Sequence, residues 1–179
     1  MKIKFKKLHE GVVRPKKATK GSAAYDLEVT EDVIIKPGRQ IIPINFAMEM
    51  EPGYQALVEP RSGFSSKGME GYEVIEFSVG FDPAYNFWHG HQESYSKTKK
   101  YVALEPERFD CDVIVGKIDA DYRDGIGIIL SNRDRSFMIK AGTRIAQLTF
   151  LKVEEVEWEE TDTLSETDRS GGFGSTGTN

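Results

Sequence analysis

The chain has one cysteine and three histidines, and no apolar run approaches the roughly 18 residues needed to cross a bilayer. Cys111 therefore has no partner for an internal disulfide, and the covalent framework on which small secreted domains depend is excluded. The first residues, MKIKFKKL, lack the apolar centre of a signal peptide, so the expectation is an intracellular, cytoplasmic protein without a membrane span. An excess of positive charge is also missing. With 24 Lys and Arg against 29 Asp and Glu, the net charge is −5 and the pI is near 5.3. This balance excludes nucleic-acid binding by bulk electrostatics, which requires a basic face. A small anionic ligand held by local donors stays open.

Helical periodicity is the last absence, and it turns attention to what is present. Short alternating or apolar runs recur between turn signals: KIKFKKL, DVIIKPGRQIIPINFAMEMEPGYQALVEP, DVIVGKID, IGIILSN and SFMIKAGTRIAQLTFLKV. Such runs, rich in Val, Ile and Phe, predict an all-β sandwich or barrel. KPGRQ, EPGYQ and KAGTR place glycine after Pro or Ala where tight turns would join strands. The alternating lysines of MKIKFKK read as the wet face of an edge strand. At 179 residues, 39% of them hydrophobic, the chain suffices for one domain carrying an insertion.

Two segments depart from this texture. Residues 71–110 are dense in aromatics, with strand-like EVIEFSV and YVALEP around a polar loop, and suggest a hairpin subdomain. HGH within it is a weak metal signal, because no third ligand stands at a suitable spacing. From Val153 to Asp168 the chain is acidic, keeps Val153, Val156 and Trp158 for packing, and then loses its hydrophobics. It reads as an arm leaving the core and delivering DRSGGFGSTGTN elsewhere. That tail is mobile by composition, yet its Arg, Ser and Thr donors can wrap phosphate and its Phe173 can stack on a base.

Four further stretches share that chemistry: GSAAYDL with Asp26, EPRSGFSSKG with Arg61, Ser62 and Gly63 at what reads as a strand end entering a turn, GKIDADYRDG with Asp119, Asp121, Tyr122 and Arg123, and GTRIAQL with Gln147. Each alone has a structural reading. Asp26 can cap a turn, Arg61 can pair with a surface carboxylate, and Gln147 can satisfy a buried backbone group.

In this order, AAYDL, PRSG, GKIDADYR, RIAQL and GGFGSTG resemble the five motifs of the trimeric deoxyuridine triphosphatases (dUTPases), from about Ser22 to Gly177. The resemblance implies an all-β, distorted jelly-roll (β-clip) barrel and a homotrimer with swapped C-terminal arms, three chains building each of three sites. Residues 1–69 and 111–160 would form the barrel, 70–110 an inserted hairpin-like subdomain, and 161–179 a flexible arm ending in a glycine-rich lid. The implied reaction is hydrolysis of dUTP to dUMP and pyrophosphate with Mg2+ on the triphosphate, which keeps uracil out of DNA and supplies the dTTP precursor.

The resemblance also implies roles. Asp119 orients the attacking water, and a carboxylate ionised at neutral pH can take its proton. Tyr122 packs on the deoxyribose where a 2′-hydroxyl would collide, and Ile118 belongs to a uracil wall read largely by main-chain groups. Arg61, Ser62, Gly63 and Gln147 bind phosphates, while Arg169, Ser175 and Thr176 reach the outer ones and Phe173 with Gly174 covers the base. No residue ligates the metal directly; Asp26 lies near its water shell. Four departures stand out: RSGGF is one residue shorter than the usual fifth motif, Asp124 stands where glycine follows DYR, the Asn that often contacts uracil is replaced by Asp112 or Val113, and the segment between the second and third motifs is long. That segment resembles the insertion of some phage-encoded dUTPases implicated in binding a DNA-binding repressor, which would make the enzyme cytoplasmic in a host cell. A nucleotide-gated regulatory trimer without turnover is the alternative. The related dCTP deaminases share the fold but expect a catalytic glutamate and a different tail.

Overall fold

A computed structural model describes residues 1–79 and 97–168. It is all-β, with one short helix among the described residues. Three tight turns lie where the glycines predicted them. Gly38, Gly53 and Gly142 have φ of 98°, 81° and 79°, a region open to glycine and closed to most other residues.

The curled barrel is assembled from small antiparallel sheets. Among the described residues β1 (Lys4–Lys7) pairs only with β5 (Phe46–Glu49). Its Phe5 turns inward against Phe46, while Lys4 reaches Glu49 at 2.8 Å, so the lysines are the wet side of an edge strand. β2 (Tyr25–Glu28), β6 (Tyr54–Glu59), β11 (Gly116–Ile118) and β14 (Arg144–Lys152) form one sheet in the order β11-β6-β14-β2. β4 (Gly38–Pro43), β10 (Cys111–Ile114) and β12 (Gly127–Asn132) form another. The inward faces of these sheets supply the core, in which Leu27, Ala56, Ile128, Leu130, Ile145 and Leu148 are almost wholly buried. Alternation along β12 and β6 is the period-two pattern of strands with one wet face.

β3 (Val33–Ile35), β7 (Met69–Val79), β8 (Lys97–Val102), β9 (Glu107–Phe109) and β13 (Phe137–Ile139) make the remaining sheet. The middle segment is a hairpin, but one continuous with the barrel. The first part of β7 pairs with β9 and β13, and from the Val74–Val102 pair outward it runs with β8. Met69 and Phe109 are buried, and Phe109 stacks on Phe137 with centroids 4.2 Å apart. A boundary at residues 70 and 110 therefore cuts through the core, because strand pairing carries the hydrophobic layer past both positions. Gly71 shows how tight that layer is: a Cβ there would lie 2.4 Å from the Phe137 ring.

Two local expectations change. PRSG, read as a strand end entering a turn, instead opens helix α1 (Ser62–Lys67), which Phe64 anchors in the core. Val153, Val156 and Trp158, expected to pack, lie on an exposed arm, with Trp158 94% accessible. No helix of the described residues is long and apolar enough to cross a membrane.

Candidate active site

β2, β14 and β6 pair antiparallel in a register that sets Asp26 opposite Gln147 and Gln147 opposite Glu59. Directly opposed residues share a face, so the three polar side chains stand abreast on one side of the sheet while Leu27, Leu148 and Val58 fill the core on the other. A bulge between Arg144 and Ala146 then reverses the parity of β14. Ile145 and Ala146 are both buried as a result, and Arg144 falls on the same face as Gln147.

The chain leaves β6 through Pro60 and enters α1 at Arg61, which occupies the N-cap position without a side-chain cap. Arg61 Nε forms an ion pair with Asp26 Oδ1 at 3.0 Å, and its Nη1 donates to the Arg144 carbonyl at 3.1 Å. Arg144 Nη1 donates to Asp26 Oδ2 at 3.1 Å. On the same face the Thr149 hydroxyl donates to Glu59 at 2.6 Å. Ser62 and Gly63 lie in the first turn of α1, whose amides have no acceptor within the helix. These groups line an open cavity of about 1010 Å³, to which Lys67 and Arg108 also contribute. Its chemistry is that of an anion site, with guanidinium, amide and hydroxyl donors converging.

The third stretch builds a separate pocket. β10 and β12 are the arms of a hairpin, and their connection detours to pair with β6 as β11, setting Gly116 opposite Val58 and Ile118 opposite Ala56. Asp119 follows at the exposed end of β11. A turn closes there, with the Tyr122 amide donating to the Asp119 carbonyl at 3.2 Å and the Tyr122 hydroxyl to the Gly125 carbonyl at 3.1 Å. A pocket of about 250 Å³ is lined by Ile114, Gly116, Ile118, Asp119, Tyr122 and Gly127. The side chains of Asp112 and Val113 do not line it: Val113 is buried in the core and Asp112 is paired with Arg133. The wall thus offers apolar side chains and backbone.

Asp26, Arg61, Ser62, Gly63 and Gln147 are brought together, as are Ile118, Asp119 and Tyr122, but among the described residues none lines both spaces. β6 separates them, with Val58 facing one and Glu59 the other. Arg169, Phe173, Gly174, Ser175 and Thr176 lie outside the described residues, as do the histidines of HGH. Among the described residues, no three His, Cys, Asp or Glu side chains converge as metal ligands. Sequence reasoning missed Arg144 and Glu59. Both lie within quoted stretches, yet only strand register and the bulge show that they enter the cavity.

The dUTPase family model matches residues 11–76 and 110–177. The chain is 36% identical to the deoxyuridine 5′-triphosphate nucleotidohydrolase of Nautilia profundicola over 99% of both chains. It is 34% identical to that of Helicobacter pylori, over 99% of this chain and 97% of the relative. Its fold is that of Staphylococcus bacteriophage 80alpha dUTPase with dUpNHpp, with a TM-score of 0.71 at 22% identity and 99% coverage of both chains. Matched along both halves of its barrel by the family model, and more than a third identical to a curated relative over nearly its whole length, the chain belongs to the dUTPase family.

Proposed function

We propose that the protein hydrolyses dUTP to dUMP and pyrophosphate as a homotrimer whose sites are shared between subunits. The observation that carries this reading is the division of the chemistry: one space holds guanidinium, amide and hydroxyl donors, the other holds the Asp119 carboxylate beside an apolar wall, and β6 keeps them apart. A neighbouring copy would set its Asp119 pocket against the Arg61 cavity.

The substrate is the magnesium complex of dUTP, so the ion arrives on the triphosphate. Uracil enters the Ile118 pocket, and the Tyr122 ring meets the sugar where a 2′-hydroxyl would clash. The Asp119 carboxylate accepts a proton from a water as that water's oxygen bonds to the α-phosphorus. The bond from that phosphorus to the bridging oxygen breaks, and pyrophosphate departs with the electron pair. Arg61, the amides of Ser62 and Gly63, and Gln147 offset the charge developing there. From the tail, Arg169, Ser175 and Thr176 would complete the grip, with Phe173 and Gly174 over the base.

Arm exchange supports the trimer. Along an extended arm Val156 and Trp158 share one face and Glu155, Glu157 and Glu159 the other. β1 presents the complement: Ile3 and Phe5 border a groove of about 520 Å³ with Tyr25 and Phe150, which Arg14, Lys16 and Lys17 also line, while Lys4 and Lys6 are absent from its lining. An arm from another copy added to this edge would bury the exposed Trp158 and pair glutamates with lysines. A second role, binding a DNA-binding repressor protein, is proposed for residues 70–110. Ile75 and Tyr101 are cross-strand partners with half-exposed side chains, and Leu104 beyond them is 92% accessible. Staphylococcus phage dUTPases are described as controlling transfer of virulence genes by a G protein-like mechanism.

Pyrophosphate release from dUTP, UTP, dTTP and dCTP with Mg2+ tests the enzyme. Activity confined to dUTP is expected, and Asp119→Asn should lower kcat by roughly a thousandfold while still binding dUpNHpp. A wild-type trimer that releases no pyrophosphate would overturn the reading; equal activity on all four nucleotides would overturn the pocket assignment.

A further inference from the structure

The carboxylate of Asp26 is only 15% exposed and meets two guanidiniums, Arg61 at Oδ1 and Arg144 at Oδ2. The Arg144 backbone closes the ring by accepting from Arg61 Nη1. Arg61 thus has Nε and Nη1 committed to protein acceptors, which fixes the plane of its fork before any ligand arrives. Arg144, with a half-exposed side chain, is the less sheltered member of the three. It lies on this face only because the β14 bulge reverses the strand's parity. A carboxylate so engaged is first a holder of cations.

We propose that Arg144 is a positioning residue for the phosphate grip: it holds Asp26, and Asp26 holds Arg61. This inference rests on the reading that the large cavity receives the triphosphate. An isolated Asp26–Arg61 pair would leave the carboxylate free to rotate, whereas a second cation on the other oxygen locks both its χ angles and the guanidinium it faces. Asp26 then acts on the phosphate grip through the arginines.

A double-mutant cycle on the full-length protein separates positioning from direct contact. Arg144→Ala should raise KM for dUTP about tenfold with kcat nearly unchanged, and Arg144→Lys should recover part of the loss, because a lysine restores the charge without the fork. Combining Arg144→Ala with Arg61→Ala should be no worse than Arg61→Ala alone, the mark of one residue acting through another. Additive losses or an unchanged KM in Arg144→Ala would each overturn the proposal. Thermal midpoints of all variants keep a general loss of folding from being read as positioning. Failure of the underlying reading has a different signature: Arg61→Ala would then bind dUpNHpp as tightly as the wild type.

Discussion

Burial of the Cys111 thiol within β10 pushes its pKa up to about 12, with Asp112 and Asp110 adding to the effect and Arg133 opposing it. The thiolate is the nucleophile, so the folded protein should resist iodoacetamide at pH 8 and react once unfolded in urea. Equal labelling rates in both states would contradict the burial. Linkage gives the same residue a second signature. The folded pKa lies above the ordinary thiol value of 9.0, so the unfolded chain loses its proton first as pH rises. The stability tied to the neutral thiol is complete below about pH 8 and is lost progressively toward pH 12. Urea midpoints should fall across that range in the wild type, and the fall attributable to this group should vanish in Cys111→Ala. Single residues were unequally legible. Asp119, Tyr122 and Gln147 could be named from their motifs, and the turn glycines from local chemistry. Arg144 could not be assigned, because nothing local to GTRIAQL reveals a bulge.

Elements were predicted best where a periodic pattern was long. The runs around β4, β6, β12 and β14 could be read as strands because alternation in a half-buried sheet is written residue by residue. Helix α1 was missed for the converse reason: six residues carry too little periodicity to announce a helix, and Phe64 alone anchors it. The hairpin's existence was legible, but its root was not, since pairing of β7 with β13 joins residues far apart in sequence. This shifts the cut that the fold should tolerate. Val74 and Val102 are directly paired, so replacing residues 75–101 with Asn-Gly should close a tight turn and keep the barrel folded. We expect dUTP hydrolysis within about threefold of wild type and loss of repressor binding, measured by pyrophosphate release and gel shift. Excising 71–110 removes Val74 and Phe109 from the core and should unfold the protein, which far-ultraviolet circular dichroism would register. A folded, active 71–110 deletion would refute this account of the root.

At the scale of the whole molecule, the proposed arm exchange would set assembly and the tail would set closure. Residues 154–168 are exposed along their length, with Trp158 and Leu164 among the most accessible apolar side chains. Truncation after Asp168 should leave a trimer by light scattering, with kcat/KM for dUTP lowered by at least about a hundredfold through loss of the closing donors. Truncation after Lys152 should also abolish the trimer, because the β1 edge and its groove lose their occupant. Wild-type activity after removal of residues 169–179 would refute the lid. The Lys and Glu rows proposed to meet across β1 are largely solvent-facing, so salt should weaken assembly of a chain already lacking its tail. The net charge gave no hint of this complementarity, since −5 sums a basic first strand with an acidic arm.

By itself the sequence determined the β class, the turn positions, the order of the five motifs and the chemistry each can perform, because these depend on neighbours in the chain. Only the tertiary structure decided that Asp26, Arg61, Arg144 and Gln147 converge, that Asp119 lies in a different pocket, and that the hairpin is rooted in the core. Strand register and the β14 bulge set those relations, and both are fixed by the packing of inward faces contributed by strands distant in sequence.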